Sequence, residues 1–272
     1  MKNPKISILL PAYKSDYLMR EIFLKGFKKN TSIDCELIIF DNDEEDNRFG
    51  DLFSCSMISQ DINIIGNGKN VGLNAALNKC AEIATGDYFF LPHTDMYILP
   101  GCLESLLNEA KKHAPHTFLF CSRSIEPGYS HIQSQIRKDY GNEWNNFQKE
   151  KLIKEYQKYK ENKIVINARM PFFMHRKLWE KMNGVDENYF SYCTDDDLIQ
   201  EAYHVGVRKF YMIYNSLVYH LQGKSNSQQS VDRDDKKPYE YFVNKWRKRG
   251  YEDCEHPGQW HPRLIPFELR VK

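Results

Sequence analysis

The chain has 272 residues, 41% of them hydrophobic and 28% charged, enough for one large α/β domain with a real core or for two small domains. Its 38 Lys and Arg against 37 Asp and Glu give a formal net charge of +1, which leaves no global field to draw in nucleic acid or an anionic membrane. The seven Cys form no CxxC pair, which argues against a zinc framework and suits reduced thiols in a cytoplasmic setting.

In chain order, Ile6-Ser7-Ile8-Leu9-Leu10 is a five-residue apolar run stopped by Pro11 and reads as a buried strand, too short for a signal peptide or a membrane span. Helical spacing follows at Leu18, Ile22, Phe23 and Phe27. Cys35 to Phe40 is a second strand, ending in Asp41-Asn42-Asp43, and Ile62 to Ile65 a third. Val71 to Ala84 carries Leu73, Leu77, Ala81 and Ala84 on one helical face, with Gly86 placed to cap its end. Tyr88 to Leu91 is a fourth strand, followed by His93-Thr94-Asp95. A helix over about 100–113 and a strand from Phe118 to Cys121 continue a rhythm that predicts a mostly parallel, doubly wound sheet.

That rhythm breaks at 124–166, a polar stretch whose Leu152, Tyr156 and Tyr159 suggest a helical insertion, a flap or surface decoration. It resumes with a strand at Pro171 to Met174, a helix near 176–182, a turn at Asn183-Gly184 and a short helix from Asp195. Two further strands are expected at Phe210 to Ile213 and Leu217 to Tyr219, and a last helix near 238–249. The basic run Lys245 to Arg249 reads as one exposed face of that helix. The expected domains are 1–225, with the insertion, and a C-terminal extension at 226–272. No run approaches about 18 apolar residues, so no integral membrane segment is expected and any membrane contact would be peripheral.

In open α/β sheets ligands bind beyond the carboxyl ends of the strands. That rule gathers Pro11-Ala12-Tyr13, Asp41-Asn42-Asp43, Gly66 to Gly72 and His93-Thr94-Asp95 at one edge. Gly66 to Gly72 has GxGxxxG spacing in the third strand–helix unit, which departs from the dinucleotide fingerprint; a nicotinamide or flavin enzyme remains an alternative. Asp41 can accept from a base or ribose, or cap a turn. His93-Thr94-Asp95 offers an imidazole and a carboxylate to a divalent cation, and an imidazole ligand tilts the choice from Mg²⁺ toward Mn²⁺. Thr194-Asp195-Asp196-Asp197 opens a helix: Thr194 with Asp197 fits a capping box, while Asp195 and Asp196 satisfy the helix dipole or act as a fixed general base. His220 ends an apolar run, as a structural residue or as a ligand beside Asp95.

Five ordered segments together resemble the family-2 glycosyltransferases of GT-A fold: PKISILLPAYKS, ELIIFDND, GNGKNVGLNAALNKCAEIATGDYFFLPHTD, MPFFMHRKLWEKMNGVDENYFSYCTDDDL and LVYHLQGKS, spanning about residues 4–225. The resemblance implies that Pro11, Ala12, Tyr13 and Asp41 meet the base and ribose, and that Asn70 and Asn74 lie near the diphosphate. His93 and Thr94 would border the donor. Asp95 and His220 would bind Mn²⁺ or Mg²⁺, with His93 as a third ligand. Asp195 would be the general base, with Asp196 in its place if the register shifts by one. The implied reaction moves a single sugar, with inversion, from a nucleoside-diphosphate sugar (a UDP- or GDP-sugar foremost) to a glycan or other hydroxyl acceptor. Two positions depart from the family pattern: His93 stands for the first acid of DxD, and Thr194-Asp195 for the usual Glu-Asp. The first departure keeps a non-catalytic nucleotide-sugar or glycan-binding module of the same fold as the alternative.

Overall fold

The computed structural model describes residues 5–43, 62–128, 135–224 and 237–251. Its first half is built from short apolar runs that can be buried on both faces, as parallel strands require. β1 (Ile6–Ala12) pairs in parallel with β2 (Cys35–Asp41), from Ile6↔Cys35 to Ala12↔Asp41. β3 (Ile62–Gly66) lies beyond β2, and β4 (Tyr88–Leu91) on the other side of β1, both parallel. The crossovers are helical. α1 runs through Asp16–Leu18, a wider π-helical turn at Met19–Phe23, and Leu24–Asn30; α2 is Leu73–Ile83.

The second half comprises β5 (Met96–Ile98), α3 (Cys102–Ala110), β6 (Phe118–Glu126), β7 (Ile136–Arg137), α4 (Lys149–Glu155) with a 3₁₀ turn at Tyr156–Tyr159, and β8 (Ile164–Ile166). After these come β9 (Phe172–His175), α5 (Arg176–Met182), α6 (Thr194–His204), β10 (Lys209–His220) and α7 (Lys237–Lys248). The sheet order is β3-β2-β1-β4-β9-β6-β10-β5, with β7 on β6 and β8 on β10. β9 runs antiparallel to β4 and β6, and β5 and β8 antiparallel to β10; the remaining pairs are parallel.

Strand alternation sorts the core onto two faces. Ile6, Ile8 and Leu10 pack on α1 and α3 through Met19, Phe23 and Leu106. Leu9, Ile38 and Phe40 pack on α2, α5 and α6 through Leu77, Trp179 and Leu198. Helices on both faces of a mostly parallel sheet make this the expected α/β, Rossmann-like GT-A architecture.

Four local expectations change. Gly86 does not cap α2, which ends at an extended Ala84. It is small because a Cβ there would lie 2.6 Å from Ser7 Oγ. Around it the buried Glu36 carboxylate accepts from Ser7 Oγ at 2.6 Å, Thr85 N at 2.6 Å and Gly86 N at 3.0 Å, bonds that hold its pKa down although burial pushes it up. The two strands expected at 210–219 are one, β10, whose register on β6 shifts between Ile213 and Leu217. The stretch 124–166 begins inside β6 and is helical only in α4 and the 3₁₀ turn, while Tyr140, Leu152 and Tyr156 share a core with Ile125, Leu217 and Tyr219. Finally, α7 is docked: Phe242 and Trp246 are fully buried with Tyr189 and Cys193, and Lys245 and Arg249 pair with acidic residues. The rest of the expected 226–272 extension, at 226–236 and 252–272, lies outside the described residues, as do Cys55 and Cys254. Cys35, Cys80, Cys102, Cys121 and Cys193 are buried free thiols. Among the described residues no helix is long and apolar enough to cross a membrane.

Candidate active site

The loops after β1, β2 and α2's start are sewn together by two short polar residues. Asn42 N donates to Ala12 O at 2.8 Å; its Oδ1 accepts from Val71 N at 2.8 Å and its Nδ2 donates to Gly72 O at 3.2 Å. Asp43 Oδ1 accepts from Lys14 N at 2.7 Å. These bonds replace the ladder that ends with the strands, so three loops far apart in sequence share one fixed edge. Pro11 and Ala12 are the last residues of β1, and the half-buried Tyr13 carries the Lys14 ammonium 5.0 Å from its ring centre. Asp41 ends β2 half-exposed, accepting from Asp43 N at 3.0 Å. Asn70 Oδ1 accepts from Gly72 N at 3.0 Å, and Gly72, at φ +85°, lies where a Cβ would meet Phe190 at 2.8 Å.

A second feature forms where β4 hands over to β5. The chain turns through His93 and the buried Thr94 and Asp95, then pairs Met96 with His220 at the end of β10. Leu221 N donates to Asp95 O at 3.0 Å and Lys224 N to Asp95 Oδ2 at 3.0 Å, clamping the carboxylate. His220 Nε2 lies 3.4 Å from Asp95 Oδ2, and the His93 and His220 rings are 6.1 Å apart. One ligand atom from each of His93, Asp95 and His220 falls within 4.8 Å of the others. On its far side His220 Nδ1 lies 3.0 Å from Glu126 Oε1. A carboxylate behind a histidine ligand fixes its ring and tautomer. Two imidazole nitrogens and a carboxylate oxygen form a donor set that could hold a divalent cation. Burial lowers the His93 pKa, against Asp95 and Asp195. Burial also works to lower that of His220, but Asp95 and Glu126 overcome it and hold it at about 9. That imidazolium supplies the positive charge between two carboxylates; a cation bound there would replace its proton.

The acidic helix start lies beside this cluster. Asp195 acts electrostatically on His93 from the first turn of α6. Asp196 next to it is pushed up to about 8 by burial and by the charges of Asp195 and Asp197. Asp197 makes no capping box: Cys193, at φ 64°, is the N-cap, and Thr194 Oγ1 reaches Ser191 O at 3.4 Å. Instead its carboxylate accepts from Tyr189 Oη at 3.0 Å, Trp246 Nε1 at 2.9 Å and Lys245 Nζ at 2.7 Å. Burial raises its pKa despite those bonds.

The structure therefore brings Asp95, His93 and His220 together, while Asp195 acts on His93 through its charge alone. The buried Asn74 spends its amide on Asp186 O, at 2.7 Å, tying α2 to the segment before α6. Sequence reading places Asn42 at this edge without a role and misses Glu126 and Arg169. Asn42 is the node of the loops, Glu126 backs His220, and Arg169 Nη2 approaches Glu126 Oε1 at 3.4 Å. Glu126 carries no local signal, because the apolar run stops at Cys121 and only the fold extends β6 to Glu126.

The model of the family described as Glycosyl transferase family 2 matches residues 7–183. Among solved structures the chain is similar to S. aureus TarS 1-349, with TM-score 0.59 and 13% identity over 82% of this chain and 62% of that one. It is equally similar to that protein in complex with UDP-GlcNAc, with TM-score 0.59 and 14% identity over 84% of this chain and 62% of the other. At such identity the likeness speaks for the fold. Over 104 residues it is 28% identical to the uncharacterized protein MT1568 of Mycobacterium tuberculosis (strain CDC 1551 / Oshkosh), covering 38% of this chain and 32% of that protein. The family match takes in β1 through α5, including the loops that carry Asn42 and Asp95, and on that ground the chain belongs to glycosyl transferase family 2.

Proposed function

We propose that the chain transfers a single sugar, with inversion, from a nucleoside-diphosphate sugar to an acceptor hydroxyl, with help from a divalent cation. The observation that carries this reading is the convergence of His93, Asp95 and His220 within 4.8 Å at the ligand-binding edge of a family-2 domain. The complex of a same-fold protein with UDP-GlcNAc supports a nucleotide-sugar donor. Mn²⁺ or Mg²⁺ bound by these residues would neutralise the diphosphate and make it a better leaving group.

The protein's own groups would do the rest. Tyr13 and Asp41 offer a ring and an acceptor to the base and ribose, while the backbone held by Asn42 fixes the loop that faces the diphosphate. Asp195, fixed at a helix start and near His93, would take the proton of the acceptor hydroxyl as it attacks the anomeric carbon. Asp196 serves that role less well, because its carboxyl holds a proton up to about pH 8.

Full activity in excess EDTA would overturn the metal role; the expected result is loss of activity, restored by added Mn²⁺. Thermal shifts with UDP, GDP, dTDP and CDP, each with Mn²⁺, identify the nucleotide. Slow release of nucleoside diphosphate without acceptor is expected of an enzyme; binding with no release at all would favour a module that only binds.

A further inference from the structure

Tyr17 and Trp144 come from elements 127 positions apart, yet their rings stack with centroids 5.0 Å apart and planes 14° from parallel. Neither is covered: Tyr17 is 64% exposed and Trp144 41%. Large aromatics usually serve a core, and a stacked pair held open to solvent needs another explanation.

The turn that carries Trp144 is built with care. Gly141, at φ +103°, leaves room for Asn146, whose backbone oxygen a Cβ would meet at 2.4 Å. Asn146 Oδ1 accepts from Glu143 N at 2.9 Å. Tyr219 Oη accepts from Tyr140 N at 3.0 Å and donates to Gly141 O at 2.5 Å, pinning the turn to β10 one residue before His220. Lys224, whose backbone N–H holds Asp95, reaches Glu143 with its ammonium at 2.5 Å. On the other side Tyr17 is the second residue of α1, which follows the β1 loop. The turn that carries Trp144 is thus tied at two points to the segments that hold His220 and Asp95.

We propose that Tyr17 and Trp144 form a stacking platform for a sugar ring of the acceptor, which is thus a saccharide rather than a small alcohol or a protein hydroxyl. This rests on the transferase reading of the neighbouring site. A pyranose presents an apolar C–H face that lies flat on an aromatic ring, and it presents hydroxyls at its edge. Asn142 and Asn145, both exposed and within two positions of Trp144, carry amides that can hydrogen-bond such hydroxyls. A membrane is a poorer match: among the described residues the flanks carry Asp16 and Glu143 as well as Lys14 and Lys224, a mixed charge with no basic excess. The base is a poorer match as well, since Tyr13 and Asp41 already offer it a ring and an acceptor.

The test uses the full chain with Mn²⁺ on an array of immobilised oligosaccharides, beside thermal shifts with UDP and a sedimentation assay with phosphatidylglycerol vesicles. The wild type is expected to bind at least one saccharide class, with Trp144→Ala and Tyr17→Ala weakening that binding about tenfold or more and Trp144→Phe restoring most of it. The UDP shift and acceptor-free donor hydrolysis should stay at wild-type levels in all three variants. No saccharide bound, or equal binding by the alanine variants, overturns the platform even if UDP binding and hydrolysis succeed. Loss of the UDP shift in Trp144→Ala assigns the pair to the base, and Trp144-dependent vesicle binding assigns it to a membrane; either outcome also overturns it. Failure of the wild type to bind UDP, GDP, dTDP and CDP alike, with no donor hydrolysis, defeats the transferase reading instead.

Discussion

Asp95 and Asp197 are both buried carboxylates, 0% and 2% exposed, and each lies beside the same candidate site, but their partners differ in kind. Asp197 is met by a lysine ammonium, an indole N–H and a phenol. Lys245 keeps its charge: burial works to lower its pKa, but Asp197 and Asp186 raise it. Such a carboxylate is committed to architecture, locking α7 onto α6. Asp95 is met by an imidazole and a backbone N–H. An imidazole can give up its proton to a metal and remain as a ligand, which an ammonium cannot do near neutral pH. The difference teaches that burial of an acid says little about its role; the exchangeability of its counter-charge says more.

The largest effect should come from Asp195, at the start of α6. Asp195→Asn is expected to lower turnover by about 10²- to 10⁴-fold while calorimetric binding of UDP with Mn²⁺ survives. Unchanged turnover would move the base elsewhere. On the architectural side, Trp246→Ala removes a fully buried ring and should cost about 3–5 kcal/mol in urea unfolding. A loss below about 1 kcal/mol would mean that α7 is not a structural part of the domain.

A smaller effect sharpens the exchangeable side. Glu126→Gln keeps the shape behind His220 but removes its charge, and Mn²⁺ affinity by calorimetry should fall about 10- to 100-fold. An unaltered affinity would show that His220 needs no orienting partner. The smallest is a pH effect at Asp196. Its folded carboxyl is pushed up to about 8, first by burial and then by its two acidic neighbours. Unfolded, it titrates near about 3.9. Between those values the folded chain binds the extra proton, so this group's contribution to stability falls as pH rises and levels off above about pH 8. Asp196→Asn should therefore gain melting temperature relative to wild type as pH goes from about 5 to about 9. A difference that does not change with pH would place the group in water.

Much of the β3-β2-β1-β4 half was legible, because each strand there is a continuous apolar run and each crossover helix shows its own period. Tyr88–Leu91 and Arg176–Met182 match the expected segments residue for residue. The basic run at the end was legible in part: Arg247, Lys248 and Arg249 are exposed as expected, but Lys245 turns inward to Asp197, and a charge pattern does not reveal its partner across a loop. The same applies to Asp197, where Thr194 three residues earlier offered a local partner that the fold did not use.

The sequence by itself determined the alternation of strand and helix, the acids and amides at the strand ends and the candidates His93, Asp95 and His220, because these follow from local periodicity and from where strands stop. Only the tertiary structure decided that Asn42 joins three loops, that Glu126 stands behind His220 and that Tyr17 meets Trp144. Each of those depends on long-range register: β10 must pair with β5 and β6 before His220 can reach Asp95, and no local pattern encodes that pairing.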